Sequence, residues 1–273
     1  MRALIRLRYF SFEVEGLEHV PPDGRAVFVQ NHSGWFALDA FFLALAVAER
    51  AGPWRTPHFA TADAALAAPL LGPALRRIGA VPVSWLRRPE RLPPEIRSCG
   101  IFPEGVAGNC KPFWQAYRMR EWKRGFVRVA QALDAPIVPA AVLGGEECLP
   151  VAWTLRLLEP LVGSIVGLPL SWVPLPTRWK IVFHPAVRVR SRDPLDPAAC
   201  GDLAQRLRAT VQRTLDRNAG RYPLARLSSA VASLSDHAGG RAAPQTPGRS
   251  GPGSSAWPCA LSTELAERDS LRV

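Results

Sequence analysis

Short apolar runs that stop abruptly on chemistry-bearing residues constrain this chain more than any other feature. Ala26-Val-Phe-Val-Gln30 stops at Asn31-His32, Cys99-Gly-Ile-Phe102 stops at Pro103-Glu104-Gly105, and Ala135-Pro-Ile-Val-Pro-Ala-Ala-Val-Leu143 stops at Gly144-Gly145. Each reads as a strand followed by a turn. Pro57–Thr61, Gly79–Val83 and Lys180–Pro185 with Val187–Val189 are further strand candidates. Between them stand helix formers. Asp39 to Glu49 predicts a helix, Ala62 to Ile78 a helix broken around Pro69 and Pro73, and Arg124 to Leu133 a third. Asp202 is placed to cap a helix to about Asn218, with Leu203, Leu207, Val211 and Leu215 at every fourth position. Strands alternating with helices specify an α/β fold, a single domain with a mixed, mostly parallel sheet flanked by helices. The expected organisation is an interfacial N-terminal segment over residues 1–20, a domain over 21–222, and a low-complexity tail over 223–273. Ser, Gly, Ala and Pro dominate that tail from about Ser228, which predicts disorder.

The formal net charge of +11 is carried almost wholly by arginine, the only lysines being Lys111, Lys123 and Lys180. Such a balance asks for an anionic partner. No zinc-finger spacing, RNP-like aromatic strand or helix-turn-helix accompanies it, so no nucleic acid is expected. Arginines interleaved with apolar residues, as in Met1-Arg-Ala-Leu-Ile-Arg-Leu-Arg-Tyr-Phe10, suit an anionic membrane surface. The longest uncharged stretch, Leu161 to Pro176, is interrupted by Pro169 and Pro174 and falls short of the ~20 apolar residues a spanning helix needs. Glu13 and Glu15 interrupt the basic N-terminus before an apolar core builds up, which argues against a secretory signal. Five cysteines without a CxxC pair point to a reducing compartment. The expected location is peripheral, on the cytoplasmic face of the cell membrane.

His32 and Asp39 are the candidate general base and its carboxylate. On a continuous helix, seven residues would separate the two by ~10 Å of rise, too far for a hydrogen bond. They meet only if Ser33-Gly34 makes a non-helical turn and the helix begins later, a turn that glycine permits. Ser33 lacks a Gly-x-Ser-x-Gly elbow and is no hydrolase nucleophile by pattern. Glu146-Glu147 reads as a solvated loop, and His58, His184 and His237 have no metal-ligand spacing, so no metal is expected.

Four blocks in order resemble the glycerolipid acyltransferase family, the lysophospholipid (1-acylglycerol-3-phosphate) type. They are Asn31-His32 with the following Asp39, Gly79-Ala-Val-Pro-Val-Ser-Trp85, Phe102-Pro-Glu-Gly105 and Ala135-Pro-Ile-Val-Pro139, and the likeness runs over roughly residues 15–190. The resemblance implies an acyltransferase-like fold and a fatty acyl transfer from an acyl thioester donor (acyl-CoA or acyl-carrier protein) to a lipid alcohol acceptor, without a cofactor. It implies catalysis by His32 and Asp39. Substrate binding would fall to Phe102, Pro103, Glu104 and Gly105. Two features depart from the family pattern. The first block is His-x6-Asp, two residues longer than the family's His-x4-Asp. In the third block Ala107 stands where the family carries an arginine for the acceptor phosphate; Lys111, or Arg87 with Arg88, would replace it. A lipid thioesterase or hydrolase and a non-catalytic membrane-binding relative are the alternatives.

Overall fold

The computed structural model describes residues 2–22, 25–157, 165–189 and 196–239. The strands among these residues are β1 (Phe10–Glu15), β2 (Ala26–Gln30), β3 (His58–Thr61), β4 (Val81–Pro82), β5 (Ser98–Ile101), β6 (Ile137–Leu143), β7 (Val151–Leu155), β8 (Val166–Pro169) and β9 (Thr177–Phe183). Seven of them form one sheet in the order β1-β9-β6-β2-β5-β3-β4, while β7 and β8 make a separate antiparallel hairpin. Every neighbouring pair in the large sheet is parallel except β6 with β9. The α/β class and the mixed, mostly parallel sheet are therefore as expected from the sequence.

The strands that stop on chemistry-bearing residues, β2, β5 and β6, are adjacent at the centre and buried along their length. Parallel strands covered on both faces carry apolar residues at every position, which is why these runs do not alternate. One face packs on the helices Gly125–Ala132 and Pro197–Asn218 through Phe126, Val129, Leu207, Val211 and Leu215. The other packs on the helix Leu38–Ala51 through Phe42, Leu43 and Val47, with Phe42 stacked on Trp179 at 4.0 Å. Residues 1–235 make one unit and 236–273 a second, of which 236–239 end the helix Pro223–Gly239.

Three boundaries differ from the sequence reading. Residues 10–15, inside the segment expected at an interface, form β1, an edge strand paired in parallel with β9. Phe10 is buried and Lys180 of β9 reaches Glu13 at 3.2 Å and Glu15 at 2.6 Å, so the charges of this strand are used across the ladder. The helix expected from Asp202 starts earlier, at Pro197, because proline at the first helical position leaves no hydrogen bond unmade. Residues 223–239, assigned to the tail by composition, are helical, with Ala225 and Ser228 buried against the body and Leu224 packed on the core. The tail expectation for 240–273 and part of the apolar run at 161–164 lie outside the described residues. Among the described residues no helix is long and apolar enough to cross a membrane.

Candidate active site

At the end of β2, Asn31 joins the sheet by its side chain. Its Nδ2 donates to the Val142 carbonyl and its Oδ1 accepts from the Val142 amide, both at 2.8 Å, so β6 is held where the backbone of β2 turns away. His32 follows immediately. The chain then makes the turn foreseen at Ser33-Gly34, with Gly34 at φ +79°, where a Cβ would stand 2.3 Å from the Gly145 carbonyl oxygen. Only glycine fits there. The helix begins at Leu38, which puts Asp39 in its first turn, facing back to the strand end. His32 Nδ1 and Asp39 Oδ2 are 2.9 Å apart, and the same oxygen accepts the Ser33 amide at 2.8 Å. Asp39 Oδ1 accepts the Ala40 amide at 2.9 Å. The carboxylate is completely buried, whereas His32 keeps 8% of its surface open. An Nδ1–H held by Asp39 leaves the lone pair on Nε2. The longer His-x6-Asp spacing thus still brings the pair together, because the extra residues lie in the turn.

Glu104 meets His32 from the end of β5. Its Oε1 accepts the His32 amide at 3.0 Å and its Oε2 the Arg120 amide at 2.6 Å. The His32 imidazole stacks on Phe102 at 3.8 Å between centroids, and Phe102 stacks in turn on Phe59 at 5.8 Å. Gly108 packs where a Cβ would stand 2.8 Å from Glu104 Cβ and 2.9 Å from His32 Cβ.

Lys111 is enclosed rather than surface-facing: its Nζ lies 3.6 Å from Glu104 and 3.2 Å from Glu146, and the side chains of all three are at most 5% exposed. Burial pulls the ammonium pKa down, but the two carboxylates more than offset this and the net shift is upward. Burial raises the Glu146 carboxyl, against the pull of Lys111 and the Tyr117 amide. The sequence reading of Glu146 as solvated is thereby corrected. It sits in a short helix, Gly145–Cys148, pressed against the Ser33-Gly34 turn. Glu147 is half-buried, and burial raises its carboxyl to about 7.

Tyr117 links this triad to the long helix. Its φ of +60° is a costly conformation for a tyrosine, ~1–3 kcal/mol. Three hydrogen bonds hold it: its amide to Glu146, its hydroxyl from the Gly144 amide at 3.2 Å, and its carbonyl from Gln212 at 2.9 Å. Arg208 donates to the carbonyls of Met119 and Arg120, both at 2.7 Å. The segment carrying the Arg120 amide is therefore fastened from behind.

Beside the His–Asp pair lies an apolar cavity of about 280 Å³, near the lower end of the ~300–1,000 Å³ usual for ligand pockets. Trp35, Phe36, Phe41 and Phe59 line it together with Leu71 and Leu75 of the helix Leu71–Arg77 and Ile78 just after that helix. Phe59 thus connects the cavity wall to His32 through Phe102.

Of the residues singled out in the sequence, His32, Asp39, Phe102, Pro103, Glu104 and Gly105 are gathered at the strand ends. Gly105 closes the turn by donating its amide to Phe102, and Pro103 accepts the Lys123 amide at 3.0 Å. Arg87 is exposed on the turn Val83–Arg87, outside this network. Sequence reasoning missed Lys123, whose Nζ stands 3.7 Å from where a Cβ on Gly105 would be. It also missed Tyr117 and Glu146. A positive-φ tyrosine leaves no local signal, but a lysine just ahead of the helix Gly125–Ala132 could have been weighed as a replacement cation.

This arrangement, a His–carboxylate pair at the strand ends of an α/β sheet beside an apolar cavity, defines a class, and sequence comparison agrees. A family model described as Acyltransferase matches residues 11–143, just under half of the chain. An uncharacterised protein of Mycobacterium tuberculosis (strain H37Rv) is 33% identical over 234 residues, 80% of this chain and 65% of the relative. One from Mycobacterium leprae is 33% identical over 223 residues, 77% of this chain and 60% of the relative. The chain thus spans just under two thirds of the length of these relatives. The fold is similar to the crystal structure of the 1-acyl-sn-glycerophosphate (LPA) acyltransferase PlsC from Thermotoga maritima. The TM-score is 0.52 at 17% identity, covering 79% of this chain and 75% of that one.

Proposed function

We propose that this protein is an O-acyltransferase that moves a fatty acyl group from an acyl thioester to the hydroxyl of a glycerolipid, with a lysophospholipid as the acceptor. The observation that carries the reading is the 2.9 Å His32–Asp39 hydrogen bond beside an apolar cavity. With Nδ1–H turned to Asp39, His32 Nε2 accepts the proton of the acceptor hydroxyl as its oxygen attacks the thioester carbonyl. The carbon–oxygen bond forms, the carbon–sulfur bond breaks, and the departing thiolate takes the proton back from the imidazolium. No acyl-enzyme is required, because the thioester is already activated. Asp39 fixes the ring orientation and stabilises the imidazolium. Glu104 acts on His32 through its backbone amide and is a positioning residue.

The acceptor phosphate is assigned to Lys123, the cation beside the Glu-Gly turn, since Lys111 is neutralised between two carboxylates. The location follows from the same reading: peripheral, at the cytoplasmic face of an anionic membrane.

The test is acyl transfer from labelled acyl-CoA to a lysolipid panel. His32→Ala is expected to lower kcat by ~10²–10⁴-fold. Transfer at the wild-type rate, or release of free fatty acid with no acylated product, would reject the mechanism. Lys123→Ala should raise KM for phosphate-bearing acceptors at least ~10-fold and leave neutral acceptors unchanged; an equal effect on both would remove Lys123 from the phosphate site.

A further inference from the structure

The cavity is rimmed by apolar side chains that face solvent. Leu70, at the start of the helix Leu71–Arg77, is 91% exposed, and Leu71 and Ile78 of the cavity wall are also exposed. On the other side Trp172 is 71% and Val173 65% exposed. Trp172 belongs to the same mouth because its ring contacts Trp35, a cavity-lining residue, at 5.1 Å. Trp35 itself is fixed by its indole N–H, which donates to the Gly167 carbonyl of β8 at 2.7 Å. Two segments distant in sequence therefore bring large apolar groups to one opening. Soluble proteins keep such groups covered unless something docks there.

The charge around this rim identifies the occupant. Arg76 and Arg77 close the helix that begins after Leu70, and Arg87 and Arg88 follow on the turn packed beside β3 and β4; all four are exposed. Glu90 is the single acid between Leu70 and Leu92. Leucine and tryptophan interleaved with arginine is the composition that settles into the headgroup region of an anionic bilayer. A second copy of this chain would set these arginines against one another, since a twofold interface presents the same patch on both sides.

We propose that the cavity mouth is a bilayer-docking face. Leu70, Trp172 and Val173 enter the acyl boundary and Arg77 and Arg88 contact anionic headgroups, so that a lipid passes into the cavity without crossing water. The inference rests on the glycerolipid acyltransferase reading for what enters the cavity, but the docking itself is measured without it.

The experiment is co-sedimentation of the full chain with vesicles of phosphatidylcholine alone or with a third phosphatidylglycerol. Leu70→Ser/Val173→Ser replaces two side chains that line no part of the cavity, and serine suits the position before a helix. The pair should lower partitioning about 30-fold on both vesicle types. Arg77→Ser/Arg88→Ser should lower it about 25-fold on the anionic vesicles only. Leu234→Ser, at a leucine 70% exposed on the helix whose Leu224 packs against the opposite face of the sheet, should change nothing. Wild-type partitioning by either double variant, an equal loss from Leu234→Ser, or a solution dimer that Leu70→Ser/Val173→Ser dissociates would overturn the proposal. Transfer between a short-chain thioester and a soluble short-chain acceptor separates the two readings. The Leu70→Ser/Val173→Ser variant should match wild type there. A wild type inactive in that assay fails the catalytic reading, while sedimentation still judges the face.

Discussion

Lys111→Met removes the one ammonium between two buried carboxylates, and the geometry says how the cost divides. Glu104 retains the His32 and Arg120 amides, so its charge stays hydrogen-bonded. Glu146 retains the Tyr117 amide on one oxygen, and its other oxygen, Oε2, has no hydrogen-bond partner among the described residues. The burden therefore falls on Glu146, already raised by burial. Removing one partner of a buried pair costs ~3–5 kcal/mol. With Glu104 still satisfied, the lower end applies, ~3 kcal/mol, or a melting temperature lower by ~6–12 °C for a domain of this size. Lys111→Met/Glu146→Gln, which removes the orphaned charge, should recover ~1–2 kcal/mol.

The pH dependence has a definite sign. Without Lys111 the folded-state pKa of Glu146 climbs further above its unfolded value. A carboxyl raised in this way costs stability above the unfolded pKa and is relieved as pH falls through the folded one. The deficit of Lys111→Met should thus be largest near pH 8 and shrink towards pH 5 in guanidinium unfolding followed by circular dichroism. A deficit below ~1 kcal/mol at pH 8, or one that grows on acidification, would refute the assignment of Lys111 as the counter-ion of the triad.

Gly108→Ala places a methyl group within 3 Å of both the Glu104 and His32 Cβ atoms. It should cost ~1–3 kcal/mol in stability and at least ~10²-fold in kcat with KM little changed, measured on folded protein. Glu147, raised to about 7 by burial, accepts the Leu224 amide at 2.9 Å. Being raised, it makes the wild type lose stability as pH rises towards and through about 7. Glu147→Gln should flatten that slope in unfolding titrations between pH 5 and 8, and an unchanged slope would assign it to another group.

The parts of this molecule legible in the sequence were those encoded by neighbours. β2, β5 and β6 announced themselves as unbroken apolar runs, and the turn at Ser33-Gly34 followed from arithmetic on helix rise. β1 was legible too, since Phe10, Phe12 and Val14 alternate with Ser11, Glu13 and Glu15, but its charges were read as an interruption instead of as the outer face of an edge strand. The Lys111–Glu146 contact had no such signal. It joins residues far apart in the chain, and Glu146 beside Glu147 after two glycines has the local look of a solvated loop. Composition misled for residues 223–239, where Ala225 and Ser228 pack closely against the body and alanines and leucines, both strong helix formers, outnumber the serines that suggested a tail.

The loop from Asn31 to Asp39 is anchored at both ends and again in its middle, where Gly34 packs on Gly145 and Trp35 donates its amide to Leu149 at 3.0 Å and its indole N–H to Gly167 at 2.7 Å. Asn31 is tied to β6, Asp39 returns to His32, and the residues between them swing outward to supply Trp35 and Phe36 to the cavity wall. Changes at Phe36 and Ala37, beyond the Trp35 anchor, would reshape the cavity wall while His32 and Asp39 stay in contact. The shape of the cavity and the His32–Asp39 contact can in this way vary independently, and the two residues by which this loop exceeds the His-x4-Asp pattern lie where such variation would fall.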